Sequence, residues 1–303
     1  VSAIALAGDA EHRARPRLVP EPTEGVLMRR VVIAGLVTVL GLTLAAVGAD
    51  YVVAIRAERS MARALLAAPG MTFEPEVTIS GFPVATDVRD RRLAQIGITA
   101  RGVAVCSACD PAAGVRRADL RATLTDVGVM GAARLIQADT TLRVASISSS
   151  ATIDSVSMGR FLGVDDLTVT TPAPAGVPGG GGPQDGLLSR TRGVMLTGTV
   201  SIRTSPGQPI RRVTVSVTVD LSIVGGRLHV QATGFYTGPQ EHSEATVSAT
   251  ERPHVLAAFT ATLPAIALPW GVRPTGANSS GSDIQLTART TAALLTPRQF
   301  RPA

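Results

Sequence analysis

From Val213 to Ile223 the chain alternates without a break. Val213, Val215, Val217, Val219, Leu221 and Ile223 are apolar, and Thr214, Ser216, Thr218, Asp220 and Ser222 stand between them. A helix would scatter these two sets around its surface, whereas a strand sends them to opposite faces. The stretch therefore predicts a long antiparallel strand with one buried and one wet face. Gly225-Gly226 follows, a tight-hairpin signal leading into Leu228-His229-Val230-Gln231-Ala232. Upstream, Leu196, Val200 and Ile202 alternate with Thr197, Thr199, Ser201 and Arg203, and Ser205-Pro206-Gly207-Gln208-Pro209 reads as the connecting turn. Weaker alternation marks 96–105, 120–129, 142–147, 167–169 and 284–292. The phase slips at Gly102, which predicts a bulge.

Helical signals are fewer. Met28-Arg29-Arg30 precedes an uncharged run, Val31 to Ala49, the pattern of a signal peptide or signal anchor. Its length lies close to the ~20 residues a spanning helix needs. It favours an uncleaved anchor, while Val47-Gly48-Ala49 before Asp50 also fits a small-residue cleavage site. Arg29 and Arg30 are expected on the cytoplasmic side and the rest of the chain outside. Residues 1–27, rich in Pro, Arg and Glu, read as a mis-assigned start ahead of Met28 or a disordered tail. Residues 51–68 read as an amphipathic helix that Pro69-Gly70 stops. Two short helices are expected, one over 155–162 with Asp154 as N-cap and Gly163 as terminator, the other starting at Pro253. Pro172 to Gly186 is a Pro/Gly-rich flexible loop. The exported part, 51–303, is expected to be one domain.

Composition narrows the function classes. All 29 basic residues are Arg, which we read as genomic base composition, and the net charge is +6. The arginines are dispersed and aromatics make up 3% of the chain, too few for base stacking, so nucleic acid is not the expected partner. An anionic phospholipid surface is. Cys106 and Cys109, the two cysteines, would suggest redox or metal chemistry in the cytosol. Outside it they predict a local disulfide. His229, His242 and His254 lack metal-ligand spacing. There is no G-x-S-x-G, and Gly179-Gly180-Gly181-Gly182 lacks the Lys-Ser/Thr of a phosphate loop. Asp165-Asp166 reads as a solvated turn. No cofactor, metal or catalytic set is expected. The hydrolase alternative would use His229 or His254 as base with a serine from Ser148-Ser149-Ser150 or Ser279-Ser280.

At Pro75-Glu76-Val77-Thr78-Ile79-Ser80-Gly81-Phe82-Pro83, and again from Leu263-Pro264 through Leu268-Pro269-Trp270-Gly271-Val272, the chain resembles the LmeA-like phospholipid-binding family of actinobacterial cell-envelope proteins. The resemblance covers roughly residues 51–295. Many members follow Gly-Phe-Pro with Phe-Leu-Thr-Gln, where this chain has Val84-Ala85-Thr86-Asp87. It implies an α+β fold of the tubular lipid-binding type, a curved antiparallel sheet wrapped around a helix. It also implies a non-enzymatic protein that binds phospholipid, phosphatidylinositol among the candidates. Such a protein would support lipid or lipoglycan (mannan) assembly on the periplasmic side of the cytoplasmic membrane. The competing readings are the hydrolase and a structural partner in a membrane complex.

Two sets of site residues follow. Phe82, Phe161, Phe235, Phe259 and Trp270 are expected to line or rim a pocket for acyl chains, or else to fill the core. Arg56, Arg59 and Arg63 lie three and four residues apart, so one helix face carries all three. That face meets lipid phosphates or is simply the wet side.

Overall fold

The computed structural model describes residues 24–105, 116–131, 136–170, 191–202, 210–236 and 247–301. The expectations for Cys106 and Cys109, residues 172–186, 205–209, His242 and residues 1–23 fall outside these. The chain divides into two compact units, Val1–Ala49 and Asp50–Ala303.

Helix α1 (Glu24–Leu65) is a single element, where the sequence suggested an apolar run and a separate helix from Tyr51. No proline or glycine pair interrupts it, and Asp50 is turned to a distant use described below. In the first unit the side chains from Met28 to Ala49 are exposed, and the helix is long and apolar enough to cross a membrane. The two threonines in the run give their hydroxyls to backbone carbonyls one turn back, Thr38 to Ala34 (2.9 Å) and Thr43 to Val39 (2.8 Å). No polar hydrogen there is left to lipid. The helix closes three residues before the expected stop, as Ala67 and Ala68 switch to tighter bonds on Ala64 and Leu65.

The second unit is built from two antiparallel sheets, neither closed into a barrel. The first holds β1 (Glu76–Ser80), β2 (Arg92–Ala104), β3 (Arg117–Val129), β4 (Leu142–Ile153), β10 (Gly276–Ser280) and β11 (Asp283–Leu295), in the order β1-β2-β3-β4-β11-β10. The second holds β5 (Asp165–Thr170), β6 (Val194–Ile202), β7 (Arg211–Val224), β8 (Arg227–Phe235) and β9 (Ala261–Thr262), in sequence order. Short helices α2 (Val84–Asp90), α3 (Ser155–Leu162) and α4 (Arg252–Ala258) complete it. The α+β class, the N-terminal apolar helix and the antiparallel strands are as the sequence led us to expect. One continuous set of buried, mostly aliphatic side chains joins both sheets to the last turns of α1, through Ala57, Met61, Ala62, Ala64, Leu65 and Ala68.

Local chemistry explains the elements. Val213 to Leu221 bury their alternating apolar set as expected, and the β7–β8 hairpin turns on Gly225 (φ 59°) and Gly226 (φ 76°), the backbone of a two-residue primed turn. The polar face of β7 is not uniformly wet. Ser216 is buried, and its hydroxyl shares a hydrogen bond with that of Thr197 on β6 at 2.8 Å, a cross-strand pair. The bulge expected at Gly102 is present, with a register shift between Ala100 and Val103. Asp154 caps α3 through the Ser157 amide at 2.6 Å, and Gly163 ends it at φ 70°. Asp165 and Asp166 are exposed at the start of β5, with Asp165 ion-paired to Arg212 at 2.9 Å.

Candidate functional site

Bonds that hold α2 to α1 and to β3 frame a cavity against β2. Asp50 is buried, and its Oδ1 accepts the amide of Ala85 at 2.6 Å. Pro83, at the N-cap of α2, makes no side-chain cap bond, so the carboxylate of Asp50 does the capping from another helix. Glu58 accepts the outward amide of Ile79 at 2.9 Å, satisfying part of the otherwise open β1 edge. At its far end α2 closes on Arg91, left-handed at φ 57°. The Arg91 carbonyl takes the Val129 amide at 2.9 Å, and its guanidinium donates to the Gly131 carbonyl. Helix α2 is thereby fixed to α1 at one end and to β3 at the other.

Between them lies a space of about 410 Å³. Buried Ala57, Leu93 and Ile136, with half-buried Val53, Val88 and Val129, give it an aliphatic wall. Ser60 and the exposed arginines Arg56, Arg89 and Arg91 supply its polar groups. Arg89 is engaged with Asp90 at 3.0 Å and Arg91 with Gly131. Arg56 has no hydrogen-bond or ion-pair partner among the described residues. A mostly apolar hollow with a few convergent polar groups is the usual form of a small-ligand site. An apolar wall beside a free guanidinium suits a ligand with an aliphatic body and an anionic end.

Of the residues singled out from the sequence, Arg56 lines this cavity. Arg59 and Arg63 are exposed on the same helix and are not among its walls. Phe259 is fully buried in the core. Phe161 and Phe235 are half-buried, each under an arginine: Arg116 at 5.0 Å from the Phe161 ring centre, Arg252 at 5.6 Å from that of Phe235. Phe82 is 74% exposed. Trp270 donates to the Thr296 carbonyl at 2.9 Å and meets Phe300 edge-on at 5.0 Å. It borders a second, more open hollow of about 670 Å³ with Ile147, Leu294 and Arg273. The five aromatics are therefore not gathered around one site.

The hydrolase candidates are also dispersed. His229 bonds Thr262 of β9 at 2.9 Å and Gln231 of its own strand at 3.4 Å, so both ring nitrogens are engaged. His254 is exposed on α4. Ser148 accepts from Arg289 at 3.1 Å, and Ser149 donates to the Pro269 carbonyl at 3.5 Å. Among the described residues no group of three His, Cys, Asp or Glu side chains could hold a metal.

Sequence reasoning missed Val53, Val88, Leu93, Val129 and the α2 arginines. The available signal was Val84 and Val88 one helical turn apart, running into Arg89-Asp90-Arg91-Arg92. The sequence profile of a family described as LmeA-like phospholipid-binding matches residues 48–289. No curated protein and no solved structure matches the chain.

Proposed function

The chain belongs to the LmeA-like phospholipid-binding family, and from that membership we propose that the cavity between α1, α2, β2 and β3 holds a phospholipid. The observation that carries this reading is the pairing of an aliphatic wall with the unpartnered guanidinium of Arg56. Acyl methylenes leave water for the wall, and the planar fork of an arginine fits a phosphate. Phosphatidylinositol remains among the headgroups to be tested. The protein is exported and held by α1 at the periplasmic side of the cytoplasmic membrane, where it supports lipid or lipoglycan (mannan) assembly without catalysing a reaction. The exposed apolar helix and Arg29-Arg30 at its start support that placement.

The test is native mass spectrometry of the full chain purified in mild detergent, beside Ser60→Trp. Among the described residues the Ser60 hydroxyl bonds only the Ala57 carbonyl of its own helix, at 2.8 Å, so an indole there fills the cavity at little cost to the fold. Intact phospholipid on the parent and its loss from a folded Ser60→Trp support the proposal. Lyso-lipid products would favour the hydrolase, and an empty parent the structural partner.

A further inference from the structure

Four large apolar side chains stand exposed around the start of the second unit: Phe82 (74%), Tyr51 (67%), Val52 (46%) and Met130 (41%). Tyr51 and Val52 follow Ala49, the last residue of the uncharged run, by two and three positions. Phe82 is distant in sequence, yet it is tied to the same place. It lies three residues before Ala85, whose amide is held by Asp50 at 2.6 Å, so its Cα is within about 11 Å of that anchor. Met130 directly follows the cavity residue Val129, which is bonded to the end of α2.

The turn that carries Phe82 is braced. The Thr86 hydroxyl bonds the Pro83 carbonyl at 2.7 Å. Gly81 has φ 148°, and a Cβ there would come within 2.7 Å of Asp87 Oδ2. A braced turn loses little freedom when its side chain enters another phase. Beyond it, Arg89, Arg91 and Arg92 are exposed at the far end of α2, about 10 Å away along a seven-residue helix. An apolar tip next to basic groups is the pattern of an interfacial membrane contact.

We propose that this face of the second unit, with Phe82 at its tip, seats on the bilayer into which residues 31–49 insert. Phe82 enters the headgroup boundary, Tyr51 and Val52 lie beside it, and Arg89, Arg91 and Arg92 meet lipid phosphates. Helix α2 also forms a wall of the cavity, so the seated face brings the cavity next to the leaflet. A lipid could then pass between leaflet and cavity without crossing bulk water. The docking rests on the membrane insertion of residues 31–49, not on what fills the cavity.

A control lies on the other side of β1. Phe73 is almost as exposed, at 69%, but it lies beyond the opposite end of β1, whose five residues span about 17 Å. The full chain is reconstituted in vesicles of phosphatidylcholine with a minority of phosphatidylglycerol, with or without acyl chains brominated near the headgroup. Phe82→Trp and Phe73→Trp are compared with the parent, whose Trp270 sets the baseline. The proposal expects the emission added at 82 to be mostly lost in brominated vesicles and that added at 73 to be retained. Equal quenching at both positions, or none at 82, overturns it. Both substitutions replace exposed rings, and near-parental circular dichroism confirms that the comparison is between folded proteins. A chain that carries no co-purified lipid yet shows quenching at 82 would refute the cavity occupant and leave the docking face standing.

Discussion

Replacing Asp50 with Ala should loosen α2 without disturbing the sheets. The carboxylate is 8% exposed and accepts the Ala85 amide at 2.6 Å, and α2 has no side-chain cap of its own. Loss of an N-cap costs about 0.5–2 kcal/mol, and a hydrogen bond to a charged acceptor contributes about 1.5–3 kcal/mol. The helix has seven residues, so its dipole contributes near the low end of about 0.3–1 kcal/mol. These are overlapping descriptions of one contact and do not add. Relief of carboxylate burial offsets part of them. A net loss of about 1.5–2.5 kcal/mol corresponds to roughly a 10–70-fold rise in local opening. Native-state hydrogen exchange of amides 84–90 in the detergent-solubilised full chain reads that quantity directly, with β6 and β7 amides as internal reference. Asp50→Asn keeps an acceptor oxygen and loses the charge, so its effect should fall between parent and Ala. A rise of less than about twofold in Asp50→Ala, below about 0.4 kcal/mol, would refute the capping argument. So would equal acceleration in β6 and β7, which would mean that Asp50 supports the whole fold.

Glu251 is 7% exposed and gathers the Ser248 amide (2.9 Å), the Ser248 hydroxyl (2.7 Å) and Arg211 (2.8 Å). Glu251→Ala should cost about 2–4 kcal/mol in chemical denaturation, below a fully buried pair because Arg211 is partly solvated, and Glu251→Gln less. Burial pushes the Asp283 carboxyl above the ordinary aspartate range; a Ser282 hydrogen bond opposes the rise, and Asp154 and Asp119 add to it. Such a group holds its proton more tightly folded than unfolded, so its contribution to stability falls as pH climbs from the ordinary aspartate value through the raised one. Asp283→Asn should therefore raise the melting temperature at neutral pH, with the gain vanishing below the ordinary aspartate range. Arg56→Gln should lower the anionic fraction of co-purified lipid more than Arg59→Gln or Arg63→Gln, since Arg56 alone of the three lines the cavity; equal effects would indicate a general surface attraction.

The sequence showed most of what repeats locally. Alternation from Val213 to Ile223, the paired glycines after it and the Asp154 cap each leave a periodic or positional mark, and the corresponding elements formed. Elements that depend on a distant partner left no such mark. Helix α2 is short, follows a proline and is capped by a carboxylate 35 residues away. Strand β9 has two residues, too few for any period. The cavity shares that origin: Val53, Leu93 and Val129 are ordinary aliphatic positions on three elements, and only the docking of α2 leaves a hollow among them. The scarce aromatics do not share one place: Phe259 fills the core, one of the two roles expected of them, and Trp270 is held by Thr296 and Phe300 beside the second hollow. The short motifs were informative about family, which the profile match over residues 48–289 shows, and uninformative about the walls.

The occupant and its location can be read together by photo-crosslinking. The full chain is equilibrated with a phospholipid bearing a diazirine in its acyl chain, re-purified to remove loose lipid, irradiated and mapped by peptide mass spectrometry. Our account predicts adducts on Val53, Val88, Leu93, Val129 or Ile136, lost in Ser60→Trp. Adducts confined to residues 31–49, or gathered around Trp270 and Leu294 and unchanged in Ser60→Trp, would contradict it.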